Sequence, residues 1–195
     1  MRIQALAGHA LLACVLATFR SILSTEPWDF VSLDDGENFF RNERVLRGLT
    51  LDNLRWCFHD GVLLAVYEPL SLLSRMAFVS AVGLSARGVG AASLALHACN
   101  TVVLFGCAAA TAAAAAAVGA GAGAGGGPGG ARGVSSAGWW GALLGALWWG
   151  VHPLRVEVVA WASAQGYALS TWMVLLAWWA RLQRCAEARW WAAGL

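Results

Sequence analysis

The chain has 195 residues, of which 59% are apolar and only 12% charged, with a mean hydropathy of +0.60. A globular domain is typically about a quarter charged, so too little charged surface remains to keep a fold of this size in water. Thirteen arginines, no lysine and eleven acids leave a net charge of +2, too weak for the basic face that nucleic-acid binding requires. Composition therefore points to an all-α integral membrane protein, and charge-free stretches locate its spans.

The first stretch runs from Ile3 to Phe19 and is 17 residues long. Arg20 can snorkel and extend it, which predicts a first transmembrane helix over 3–23. A short positive start followed by an apolar run also describes a signal peptide. Either reading sends the next segment, 24–87, to the lumen. Within that loop Phe30-Val31-Ser32-Leu33-Asp34-Asp35 sets two adjacent carboxylates near the membrane face. Close like charges raise one carboxyl pKa, and a carboxylate so tuned can take a proton from an attacking hydroxyl; a solvated acidic turn is the other reading.

Thr50 reads as an N-cap for a helix over 51–59, with Leu51, Leu54 and Phe58 on one apolar stripe, a pattern that lies on a membrane surface. A second interfacial helix is expected to start near Pro69, with Leu70, Leu73 and Ala77 facing lipid. The rival is a span through 61–84, which would bury Glu68 or Arg75 in hydrocarbon.

A second transmembrane helix is predicted over 88–118, followed by an Ala/Gly-rich cytosolic linker over 119–136. The glycines there lack the lysine and the strand context of a phosphate loop. The third helix covers 137–154. Its hairpin partner starts near 158 and ends over 168–180, around a luminal turn at 155–167 that holds His152-Pro153 at its entry and Arg155 and Glu157. Ten of the twelve tryptophans lie between Trp139 and Trp191, and those near the helix ends fit interfacial anchors. Residues 181–195, with Arg181, Arg184 and Arg189, form a tail expected on the cytosolic side, and four spans place the N-terminus there too. The five cysteines show no CxxC spacing and the four histidines are scattered, so neither a disulfide framework nor a metal site is expected.

In this order the segments resemble the start of a GT-C glycosyltransferase. They resemble most the transmembrane, tetratricopeptide-repeat-containing protein O-mannosyltransferases. Phe30 to Asp35 is similar to that family's F-V-x-x-D-D. Asn42, Val45, Arg47-Gly48-Leu49-Thr50, Leu54-Arg55-Trp56 and Phe58 resemble the loop that follows. Tyr67, Pro69-Leu70-Ser71 and Leu73-Ser74 resemble its R-P-L-T-x-L-[ST] helix start, and Gly83-Leu84, Leu94, Leu96-His97 and Asn100-Thr101 its second span. His152-Pro153-Leu154, Glu157, Val159-Ala160 and Leu169 resemble H-P-x-H-x-E-x-V-A. Glu68 stands where the family carries Arg or His, Arg155 replaces its second His, Gln165-Gly166-Tyr167 replaces R-x-D, and Gly90 and Ser93 replace a His and an Asn. Within residues 1–195 no 34-residue period appears, so the family's helical repeats are not expected in this stretch.

The resemblance implies a multi-pass protein of the endoplasmic reticulum membrane, with dolichyl-phosphate mannose as lipid-linked donor and Ser/Thr of luminal proteins as acceptors. It implies no cofactor and no metal. Asp34 would be the base and Asp35 would orient it or share the proton. Arg155 would face the donor phosphate, with His152, Glu157 and His97 lining the cavity. The alternative expectation is a catalytically inactive or truncated membrane protein that binds a partner or a lipid.

Overall fold

A computed structural model describes residues 2–24, 29–121 and 134–193. The chain is predominantly helical, and the helix ends follow local chemistry. Helix α1 (Arg2–Thr18) passes into a 3-10 turn at Arg20–Leu23. Asn42 caps α2 (Glu43–Leu46) by accepting from Arg44 N and Val45 N, and Thr50 caps α3 (Leu51–His59) by accepting from Asn53 N. Between them Gly48 turns the chain at φ +70°, and a Cβ there would lie 2.2 Å from Ser80 Oγ.

Residues 61–84 do not form the rival span. They fold as an antiparallel hairpin, β1 (Val62–Leu63) and β2 (Val66–Tyr67), and then α4 (Pro69–Val82) with proline in its first turn. Proline has no N–H to leave unpaired at that position. At 14 residues α4 is about 21 Å long, short of the roughly 30 Å of bilayer hydrocarbon. Leu70 is exposed and Leu73 and Ala77 are half-buried, while Ser71, Leu72, Arg75 and Met76 turn inward.

Helix α5 (Ala86–Gly121) is, among the described residues, the one helix long and apolar enough to cross a membrane; α1 and α4 are apolar but shorter. Most of the expected linker, 122–133, lies outside the described residues, as do 25–28. Ser135 caps α6 (Ser136–Val151) by accepting from Gly138 N, and α6 ends at His152-Pro153. The expected continuous helix from about 158 to 180 is interrupted. Helix α7 (Arg155–Ala160) stops at Trp161, whose ψ is 118°, and a 3-10 turn at Ala162–Ala164 leads into α8 (Gln165–Ala193). The cause is tertiary: Ser163 N donates to the Asp35 carboxylate instead of a carbonyl one turn back.

The chain divides into two compact units. The first takes in Met1–Leu16, Ala98–His152 and Thr171–Leu195. Its core is made of small residues, Ala7, Ala109, Ala142 and Ala146, with Leu11 and Phe105. Glycines let helices approach closely here: a Cβ on Gly150 would lie 2.6 Å from Thr101 Cγ2, and one on Gly106 would lie 3.1 Å from the Trp179 ring. Large apolar side chains point outward instead, with Trp140, Leu144 and Trp148, successive fourth residues of α6, all more than half exposed.

The second unit is Ala17–His97 with Pro153–Ser170. Phe39, Val45, Cys57, Leu72, Met76, Val89 and Ala162 form its core. Asn53, buried, donates to the carbonyls of Arg44 and Gly48, both at 2.7 Å, and so ties α2 to α3. The Cys57 thiol donates to Pro69 O and ties α3 to α4.

Candidate functional site

The acidic pair sits where the loop from the first helix enters a single π-helical turn, Gly36–Phe40. The turn's wide register is seen in Arg41 N donating to Gly36 O at 2.7 Å. Such turns re-aim side chains and recur at functional sites. This one separates the two aspartates. Asp35 is buried at 1% exposure and accepts from Val31 N at 2.8 Å, from Ser163 N at 2.9 Å and from Ser163 Oγ. Asn38 Nδ2 donates to the same Ser163 Oγ at 3.0 Å. Asp34 is half-buried, and its carboxylate has no hydrogen-bond or ion-pair partner among the described residues. One acid is held by three donors, and the other is not.

Beneath this pair lies a cation. Arg75, on the inward face of α4, is 1% exposed, and its Nη2 meets Glu68 Oε1 at 2.9 Å. A weaker donation reaches Ser163 O at 3.5 Å, and the guanidinium stands 5.7 Å from the centre of the Phe39 ring. Its Nε and Nη1 carry no partner among the described residues. Ser163 therefore joins the buried acid to the buried base, through its N–H and hydroxyl on one side and its carbonyl on the other. The start of α8 closes over the pair through Gly166, where a Cβ would fall 2.6 Å from Ser71 Oγ and 3.2 Å from Glu68 Oε2.

An open cleft of about 300 Å³ adjoins this network, lined by Asp29, Val31, Val156, Glu157, Ala160 and Trp161. It shares Val31 with the Asp35 hydrogen bonds and ends two residues short of Ser163. The Trp161 Nε1 is buried without a partner among the described residues. The cleft is mostly apolar, and Asp29 and Glu157 are the charged residues of its lining, so an anion would meet like charge there.

The structure thus brings Asp35 together with Ser163, Asn38 and Arg75, and sets Glu157 at the edge of the adjoining cleft. His97 is buried elsewhere in the same unit, its ring edge-on to Phe19 at 5.8 Å. Arg155, half-buried, opens α7. His152 belongs to the first unit, where it terminates α6 against the Trp148 ring at 5.1 Å. Ser163, Asn38, Arg75 and Trp161 are not among the residues the sequence singled out for the site. Glu68, which precedes α4, and Arg75 within it carried a signal, but as charges opposing a span they pointed elsewhere. Among the described residues no group of three or more His, Cys, Asp or Glu could hold a metal ion. No family model matches the chain, and no curated protein or solved structure does so either.

Proposed function

We propose that this chain is a membrane-embedded glycosyltransferase-like protein of the endoplasmic reticulum that moves mannose from dolichyl-phosphate mannose to Ser/Thr of luminal proteins, with Asp34 as general base. The observation that carries the reading is the division of labour in the acidic pair: Asp35 held by three donors, Asp34 left with an unpartnered carboxylate. The acceptor oxygen attacks the anomeric carbon as the carbon–phosphate-oxygen bond breaks. Asp34 takes the hydroxyl proton and the electron pair leaves with dolichyl phosphate, so one displacement inverts the centre. Phosphate is a good leaving group, and no general acid is needed. The cleft beside Glu157 and Trp161 suits the sugar.

The four-span arrangement, with α1, α5, α6 and α8 as the spans, belongs to the same proposal. Its support is the length and apolarity of α5 and the inverted packing of the first unit, small residues inside and large apolar ones outside. Small residues at helix contacts are favoured where lipid, not water, surrounds the bundle.

The test is Asp34→Asn in the whole chain, assayed in microsomes with radiolabelled dolichyl-phosphate mannose. Transfer should fall by about 10²–10⁴-fold, the usual worth of a positioned base, with membrane content unchanged. Equal transfer by the mutant refutes the base assignment. Absence of transfer by the wild type favours the second reading, a catalytically inactive lipid or partner binder. What favours that reading here is Asp35, whose bonds to Val31 and Ser163 are all internal.

A further inference from the structure

The hairpin between α3 and α4 has a tip chemistry that water does not explain. Its register pairs Val62 with Tyr67 and Leu63 with Val66, leaving Leu64 and Ala65 as the two turn residues at φ 51° and 63°. A two-residue turn with both central residues in the left-handed region favours Asn-Gly, because glycine has no Cβ and asparagine satisfies the backbone locally. Leucine and alanine there are unfavourable twice: in backbone conformation, and in the apolar surface given to water. Leu64 is 50% exposed, with Val62 at 56%, Val66 at 54% and Tyr67 at 54%. From Gly61 to Tyr67 there is no charged residue, although exposed strand edges in water are normally guarded by charge.

The hairpin is not loose. Leu63 packs onto the unit's core, and Tyr67 Oη donates to Phe58 O at 2.8 Å. That bond anchors it to the end of α3, whose Leu51, Leu54 and Phe58 form an exposed apolar stripe with Arg55 beside it, also exposed. Both pairs of strand positions carry exposed apolar groups, so the hairpin offers no single flat face to a folded partner. Fluid hydrocarbon can surround such a tip, and Arg55 is placed to reach lipid phosphates, as interfacial elements do.

We infer that residues 62–67, continued by the α3 stripe, form a wedge that inserts into the headgroup–acyl boundary of a phospholipid bilayer and holds the second unit against the membrane. This rests on the membrane reading above. The test uses the whole chain in phosphatidylcholine vesicles, with a benzophenone side chain placed at Val66, at Val62 as a second site, at Cys99 within α5 and at Asp52. After irradiation, mass spectrometry is expected to find phospholipid adducts at 66, 62 and 99 and none at 52. The double variant Leu64→Asn, Ala65→Gly should lower the adduct at 66 by about tenfold, the worth of one buried leucine side chain, with thermal stability unchanged or raised. A polypeptide adduct at 66 and 62, or no adduct there while position 99 captures lipid, overturns the wedge alone. No lipid at position 99 overturns the membrane reading, and the wedge with it.

Discussion

Arg75 shows what a single side chain is asked to do in this chain. A buried guanidinium with one acidic neighbour is stable only while that neighbour is present, because an uncompensated buried charge is costly. Glu68→Gln is therefore expected to destabilise the second unit by about 2 kcal/mol, below the roughly 3–5 kcal/mol of a fully buried pair, since the Glu68 side chain is 30% exposed. Adding Arg75→Met should restore part of the loss, measured as denaturation midpoints in one detergent. Cys57 gives a second residue-scale prediction. Burial pushes its thiol above the ordinary value of 9.0, partly offset by a hydrogen bond with the Leu73 backbone. A raised folded pKa means that the stabilisation is complete below the unfolded pKa and is lost as pH rises through the folded one. The chain also holds four other cysteines and two tyrosines, so the slope that belongs to Cys57 is the difference from Cys57→Ala. The melting temperature should be flat up to about pH 8 and fall above about pH 9, more steeply than in Cys57→Ala.

Among elements, the junction of α4 with the start of α8 depends on having no side chain at Gly166. Gly166→Ala drives a methyl against Ser71 Oγ and Glu68 Oε2, and overpacking of this kind costs about 1–3 kcal/mol. Because the same junction supports Ser163, the variant should also loosen the Asp35 site, seen as faster amide hydrogen exchange at Ser163 and Val31. A variant with unchanged exchange and stability would show that the junction yields elsewhere. Elements whose signals are local were legible beforehand. Thr50 caps α3 and Pro69 opens α4 because capping and proline geometry act within one turn of chain. The hairpin was not, because Leu-Ala is no turn signal and its neighbours are as apolar as a helix interior. The break at Trp161 was not legible either, since its cause, Asp35, lies 128 residues from Ser163.

For the molecule as a whole, the proposed topology puts residues 34–68 in the lumen. A glycosylation tag inserted near Gly61 should be modified in microsomes and shift the protein's mobility; a tag that stays unmodified contradicts the orientation. Asp34 and Asp35 read alike in sequence, as neighbours of one charge. Their separation into a fixed acid and a free one required the π-helical turn and the arrival of Ser163. His152, Arg155 and Glu157 read as one motif because they are close in the chain. In the structure Glu157 edges the cleft, while His152 ends a helix of the other unit. The sequence by itself determined the helical class, the apolar length of α5 and the Thr50 cap, since composition, hydropathy and capping depend on residues within a few turns of one another. Only the tertiary structure decided which acid is held, which arginine is buried beside it and where the fourth apolar stretch breaks, because those outcomes come from hydrogen bonds and charge pairing between segments far apart in the chain.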